Sequence, residues 1–313
     1  MQKTFGIHHL SAMIDNVQNN IDFYENILGL RLVKKTVNFD DPSTYHLYFG
    51  NYAGNPGTLL TFFPNENYNK GIIGDGQVGV IHLIIPIGSM AYWNKRLNDY
   101  NIETKFNYRF NEKYLSFKDV HGLNIEFVER EVEDRTINSF RRDFDYGIVA
   151  IGGVTLFSYN PEKTVSLLTM GFGLNLISTQ DDVFRLKSIG DFGNIIDVTK
   201  ADIKGHGGKG TFHHLAFRAN DDYDHQFWKE LITRLGYKTT DILDRKYFKS
   251  FYFREHGHIL FEIATDNPGF IVDENLVSLG EGFMLPNMHE HYRIFLENKL
   301  VKLKLNRGKR SNK

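Results

Sequence analysis

The stretch TFHHLAFRAN (residues 211–220), continued by DDYDHQFWKELITRLG to Gly236 and then by KSFYFRE (249–255) and ILFEIAT (259–265), decides how the chain is read. It opens with an apolar strand and passes into a helix with Asn220 as N-cap. Phe227, Leu231 and Leu235 form the buried stripe of that helix, and Gly236 is its stop. Strand-like runs follow without another helix between them, which makes a βαβββ unit.

Working outward from this unit, the same order occurs three more times. The first copy has GIHHLSAMI (6–14), Asp15 as cap, Val17, Ile21, Tyr24 and Leu28 on one helical face, and Gly29 as stop. Strands RLVKKTVNF, YHLYFG and GTLLTFF follow. The second has GVIHLIIP (79–86), a helix through Met90, Trp93, Leu97 and Tyr100, then KYLSFKD and LNIEFVE. The third has IGGVTLFS (151–158), Asn160 and Pro161 at a helix start, Val165 and Leu168 inside, Gly171 as stop, then GLNLIST, DVFRLKSI and GNIIDVT. One such unit leaves an apolar sheet face uncovered, so units must pair. The expected fold is therefore α+β, with four βαβββ modules forming two half-barrel pairs. Residues 1–130 hold modules one and two, 131–145 a linker of mixed charge, 146–266 modules three and four, and 267–313 a C-terminal extension with a basic tail.

Composition limits the chemistry. The 313 residues carry 37 basic and 38 acidic side chains and are 41% apolar, enough to bury a large core but without a field that attracts nucleic acid or an anionic membrane. No run approaches 18 apolar residues and no leader-like start is present, so the reading is a cytoplasmic protein with neither a nucleic-acid nor a membrane partner, compatible with a homo-oligomer. Cysteine is absent, which excludes disulfides, thiolate sites and cysteine nucleophiles. Metal chemistry would rest on His, Asp and Glu.

Two glycine-rich stretches have dull explanations. Gly74-Asp-Gly-Gln-Val-Gly79 fits a dinucleotide pattern, but a strand follows where a helix is needed. HGGKG (206–210) lacks the Lys-Ser/Thr ending of a phosphate loop. Both read as loops.

The histidines say more. The first and fourth copies share the doublets His8-His9-Leu10 and His213-His214-Leu215, and counting six residues from His9 and His214 reaches the two caps. Val154 stands there in the third copy, and the second offers His82. Because neighbouring strand residues face opposite sides, one histidine of each doublet points inward, and the register selects His9 and His214. Glu262, in the otherwise apolar ILFEIAT, would be costly to bury unpaired. Two imidazoles and a carboxylate can hold one face of an octahedral ion and leave three positions open. A rival set of His9, His82 and Glu126 arises if consecutive modules pair, and spacing does not decide between the two. His256 and His258 are read as shaping the turn before the Glu262 strand.

With these residues in place, the chain resembles the vicinal oxygen chelate superfamily of glyoxalases, bleomycin-resistance proteins and extradiol dioxygenases. Within it, the chain is most similar to the ring-cleaving dioxygenases that act on hydroquinones. GIHHLS, FYENILGLRLVKKTVNFDDPSTYHLYFG, PGTLLTFFP, HHLAF, DRKYFKSFYFRE and LFEIATDNPGF carry the resemblance. It implies that modules one and four share the metal cavity, with Fe(II), or Mn(II), on His9, His214 and Glu262. It also implies catalytic roles for His8, Ser11, Tyr252 and Arg245, with His8 and Tyr252 handling protons, and a C-terminal stretch lying across the metal-bearing half. The implied reaction opens a hydroquinone-class aromatic ring with O2, in quinone detoxification or aromatic catabolism. Two other outcomes fit the fold: a glyoxalase-like isomerase or lyase, for which the last strand of module one offers no fourth ligand, and a metal-free sequestering protein, for which the paired histidines and strand glutamate would have no use.

Overall fold

The computed structural model describes residues 2–132 and 145–305; most of the expected linker, 133–144, and the basic tail from 306 lie outside the described residues. Module one contributes β1 (Ile7–Ile14), β2 (Arg31–Val37), β3 (Tyr45–Gly50) and β4 (Leu59–Pro64), and module two β5 (Gln77–Ile85), β6 (Lys105–Arg109), β7 (Glu112–Lys118) and β8 (Asn124–Glu129). Module three supplies β9 (Ala150–Phe157), β10 (Asn175–Gln180), β11 (Val183–Lys187) and β12 (Ile195–Thr199). Module four supplies β13 (Thr211–Ala219), β14 (Leu243–Asp244), β15 (Phe248–Arg254) and β16 (Leu260–Pro268).

These strands make two eight-stranded sheets, each a curled half-barrel. One runs β14-β15-β16-β13-β1-β4-β3-β2 and the other β10-β11-β12-β9-β5-β8-β7-β6. Modules one and four therefore join through the antiparallel pair β1–β13, and modules two and three through β5–β9. Alternation along each strand sends one set of side chains into a core built from both sheets and the other into the concave face. In β16, Phe261 and Ile263 enter that core while Glu262 between them faces the opposite way.

Each module's helix covers the core side. The caps fall one residue later than expected in two modules: Asn16, not Asp15, accepts from Asn19 N at 2.9 Å, and Asp221, not Asn220, accepts from Asp224 N at 2.8 Å. Asp15 instead pairs with His121 at 2.8 Å. The stripe of the module-four helix, α1 (Asp222–Arg234), is rotated from the expected one. Trp228 and Ile232 are fully buried, whereas Leu235 is 45% exposed, because α1 lies on strands that already supply Phe217 and Phe261. Tyr100, expected on the buried face of module two, is likewise exposed.

The two glycine-rich stretches lace the module connectors together. Ile72 and His206 exchange backbone hydrogen bonds of 2.9 Å each, and Asp75 N donates to Ile203 O at 2.7 Å. A Cβ on Gly74 or Gly205 would collide with the facing backbone, which accounts for the glycines without any phosphate.

Beyond β16 the extension runs along the outer edge of the first sheet. The fully buried Lys34 on β2 donates to Phe270 O at 3.2 Å and pairs with Asp273 at 2.6 Å, and Arg31 donates to Val277 O at 2.8 Å.

Candidate metal centre

His9 on β1, His214 on β13 and Glu262 on β16 converge on the concave face of the first sheet. They are the His/Asp/Glu set among the described residues whose donor atoms lie close enough for one ion, all within 4.8 Å. The two Nε2 atoms are 3.3 Å apart and lie 3.3 Å (His9) and 2.8 Å (His214) from Glu262 Oε2. All three residues are buried.

Register explains why doublets were needed. Along β1–β13, Ile7 faces Phe217 and His9 faces Ala216, so His8 is an extra residue; likewise Ser11 faces His214 and Ala12 faces Phe212, so His213 is extra. Both are β-bulges, which break strict alternation and re-aim the neighbouring side chain. The expectation that the two histidines of a doublet face opposite sides therefore fails. His8 Nδ1 lies 2.9 Å from His9 Nδ1, and His213 Nδ1 lies 2.8 Å from His214 Nδ1.

These contacts orient the donors. His8 Nε2 donates to Thr265 O at 3.2 Å, which leaves His8 Nδ1 as the acceptor for the Nδ1–H of His9 and leaves His9 Nε2 with a bare lone pair toward Glu262. Burial lowers the basicity of His214 and keeps its imidazole neutral. Burial pushes the Glu262 carboxyl up, and it is held well below its usual range only when positive charge sits beside it at the His9 and His214 positions. Neither Glu262 oxygen has a hydrogen-bond donor among the described residues. An ionised, fully buried carboxylate facing two imidazole lone pairs is costly unless a cation sits among them, so this donor set fits a divalent metal.

His9 and His214 open into a cavity of about 380 Å³. Phe39, Phe63, Phe248 and Leu243 give it apolar walls, and Ser11, Tyr252, Arg245 and His213 add polar groups. Three of the four residues expected to be catalytic thus line it. His8 does not; it lies behind His9, against Phe248. His213, which the alternation argument turned outward, lines the cavity because of its bulge. His46 and Tyr48, which lie in the quoted YHLYFG but have no role assigned from sequence, also line it: Tyr48 Oη, His46, Thr61 and Ser11 form a chain of hydrogen bonds of 2.9, 3.0 and 2.6 Å along one wall. Burial raises the Tyr252 phenol above its usual range, with the Glu262 charge adding to the effect, so it stays a proton donor.

His82 and Glu126 belong to the other sheet, where they pair with each other and meet Arg109 at 2.9 and 2.6 Å. This removes the rival set with His9.

Comparison with known proteins agrees with this geometry. The profile of the Glyoxalase/Bleomycin resistance protein/Dioxygenase superfamily matches residues 6–127 and 150–263. The chain is 49% identical to the Bacillus subtilis protein named "Putative ring-cleaving dioxygenase MhqO", over 96% of this chain and 97% of that one. It is 32% identical to the chlorohydroquinone/hydroquinone 1,2-dioxygenase of Sphingobium indicum, over 89% and 90%. A crystal structure of a Bacillus subtilis protein superposes with a TM-score of 0.94 at 48% identity, covering 97% of this chain and 99% of that one. Glyoxalase I from Zea mays, at 14% identity, shares the fold, with a TM-score of 0.62 over 83% and 92%. With two curled half-barrel sheets, a buried His-His-Glu set and these relatives, the chain belongs to the glyoxalase/bleomycin resistance protein/dioxygenase superfamily, in its ring-cleaving dioxygenase branch.

Proposed function

We propose that this protein is an Fe(II)-dependent extradiol-type dioxygenase that opens hydroquinone-like rings with O2, with Mn(II) as the alternative metal. The observation that carries the proposal is the three-donor set at the floor of an aromatic-walled cavity, which leaves coordination positions for a ring hydroxyl and for O2. His9, His214 and Glu262 would hold the ion. Once bound, Fe(II) supplies the redox chemistry that lets O2 react with an aromatic ring.

The protein's own groups bind, orient and move protons. Phe39, Phe63 and Phe248 enclose the ring and exclude water. Ser11, whose hydroxyl is tied to Thr61, presents a polar group to a ligand hydroxyl, and the protonated Tyr252 donates to oxygen that develops charge. Arg245, at the rim, adds positive charge toward an ionised phenol. His8 acts by holding His9 rather than by touching the ring. The bond broken is that between a hydroxylated ring carbon and its neighbour; both O2 atoms enter the product, so no outside reductant is needed. At the Glu262 position of module one stands Thr61, not a carboxylate that would serve as a fourth ligand, which favours this reading over a glyoxalase-like isomerase. We place the reaction in the cytoplasm, on quinol substrates of detoxification or aromatic catabolism.

The test is O2 consumption by anaerobically Fe(II)-loaded protein given methylhydroquinone or catechol, with the ultraviolet spectrum followed for a ring-opened product. Uptake with the hydroquinone is expected. No uptake at stoichiometric iron would overturn the proposal in favour of an isomerase, and absence of metal binding would leave a sequestering protein.

A further inference from the structure

The rim of the metal cavity is made by two lips far apart in sequence. One is the loop after β2, with Asn38, Phe39 and Asp40; the other is the turn between β14 and β15, with Arg245. They meet through a two-pronged ion pair, Arg245 Nη1 to Asp40 Oδ1 at 3.2 Å and Nη2 to Oδ2 at 3.1 Å, in which the guanidinium also lies 5.6 Å from the Phe39 ring and 5.8 Å from the Tyr252 ring. Arg245 is 14% exposed and Asp40 is 74% exposed. A pair this open to solvent adds little to stability, so its geometry needs another reason.

The extension supplies one. Leu285 O accepts from Lys246 Nζ at 2.9 Å, next to Arg245, and His289 Nε2 donates to Phe39 O at 3.1 Å, next to Asp40. Met284 N donates to Lys35 O at 3.0 Å on the same edge. One short segment thus grips both lips from outside. Lys246 is held with φ at +66°, a conformation costly for a side chain of this type, and its anchorage to Leu285 and Asp273 keeps it there.

We infer that Asp40 is a positioning residue: it holds Arg245 across the cavity rim, on a frame whose width is set by the Leu285–His289 segment, and so sets how tightly a hydroquinone-class ring is held. Without Asp40, Arg245 keeps its charge but loses its bearing. The inference rests on the hydroquinone reading above.

The experiment compares wild type, Asp40→Asn, Asp40→Glu, Arg245→Ala and the Asp40→Asn/Arg245→Ala double variant, all Fe(II)-loaded. It records metal content, steady-state kinetics with methylhydroquinone and the anaerobic Kd of methylhydroquinone. For Asp40→Asn the expectation is unchanged iron and a KM and Kd raised roughly three- to tenfold with kcat within about twofold. Asp40→Glu should recover most of this, and Asp40→Asn should add nothing on top of Arg245→Ala. Unchanged KM and Kd, a loss of bound iron in Asp40→Asn, or an additive double variant would each overturn the inference. Should wild type bind methylhydroquinone but consume no O2, the dioxygenase reading falls while Kd still decides the role of Asp40.

Discussion

The two half-barrels are built on one plan and filled differently. In the first sheet the bulges on the central strand pair fall at His8 and His213; in the second they fall at Gly79 and Gly152, because Val78 faces Leu156 while Val80 faces Thr155, and His82 faces Gly153 while Leu83 faces Ile151. Val80 and Gly153 therefore stand where the first sheet has His9 and His214. Carboxylates persist: Asp197, opposite Thr155, takes the place of Glu262, opposite Ala216. Glu126, opposite His82, takes the place of Thr61, opposite Ser11. What fills the second sheet is a cation from the chain itself. The Arg109 guanidinium meets Glu126 at 2.6 Å, His82 at 2.9 Å and Asp197 at 3.4 Å, and Arg185 meets Asp197 at 2.7 Å. One concave face has its positive charge built in. The other has none among its three converging donors and is open to receive it.

The sharpest way to break this comparison is to remove the equivalent carboxylates one at a time. Glu262→Gln should lower metal affinity by more than about a hundredfold, read as metal content after dialysis, because a neutral amide replaces the only anionic donor. Asp197→Ala should leave metal content intact and cost about 3–5 kcal/mol of stability in denaturant unfolding, because Arg109 and Arg185 lose a buried partner. If Asp197→Ala depleted the metal, or Glu262→Gln did not, the assignment of roles to the two sheets would be wrong.

Next in size is His8→Ala, which leaves the donors in place but frees the His9 Nδ1–H. Metal affinity should fall roughly ten- to a hundredfold, and an unchanged affinity would show that the bulge histidine has no supporting role. Thr61→Glu would give the first sheet the carboxylate that the second already has. Affinity should rise while turnover with methylhydroquinone falls at least about tenfold, since a further ligand removes an open position; retained turnover would count against the need for that position.

The smallest effect concerns pH and the second sheet. The Glu112 carboxyl is pushed up by burial and, more strongly, down by Arg130, Tyr114 and Arg185, to about 2 from an ordinary 4.5. A depressed carboxyl contributes stability that is full above the unfolded value and is lost as pH falls toward the folded one. The stability gap between wild type and Glu112→Gln should therefore be widest above about pH 5 and should shrink between 4.5 and 2 in urea titrations. A gap independent of pH would exclude the ion pairs as its source.

The convergence of His9, His214 and Glu262 was legible because its chemistry is conspicuous: two identical doublets and one acid in an apolar strand. The module pattern was legible for a similar reason, since Gly stops and apolar stripes recur at matching places. The bulges were not. A bulge is a property of two strands in register, and nothing within GIHHLS says that His8 will lack a partner on β13. Strict alternation turns both His8 and His213 outward, whereas the bulges bring His213 to the cavity and set His8 against His9. Arg109 was invisible too, since KFNYR is an unremarkable edge strand until the curl of the sheet carries it over Glu126. The stripe of α1 lies one residue from the expected one, because Trp228 and Leu231 both satisfy helical spacing and only the facing strands choose between them.

The order of the strands also bears on how the chain is made. In the second sheet the residues that meet at the centre, His82 and Thr155, are 73 apart, whereas His9 and His214 are 205 apart. During synthesis the second sheet can close while the fourth module is still being translated, and β1 must wait with an unpaired edge until β13 emerges. Closure of so long a loop is slow relative to local pairing, and Glu262 comes later still, so the full donor set for a metal is assembled only near the end of folding, on a platform the inner modules have already built.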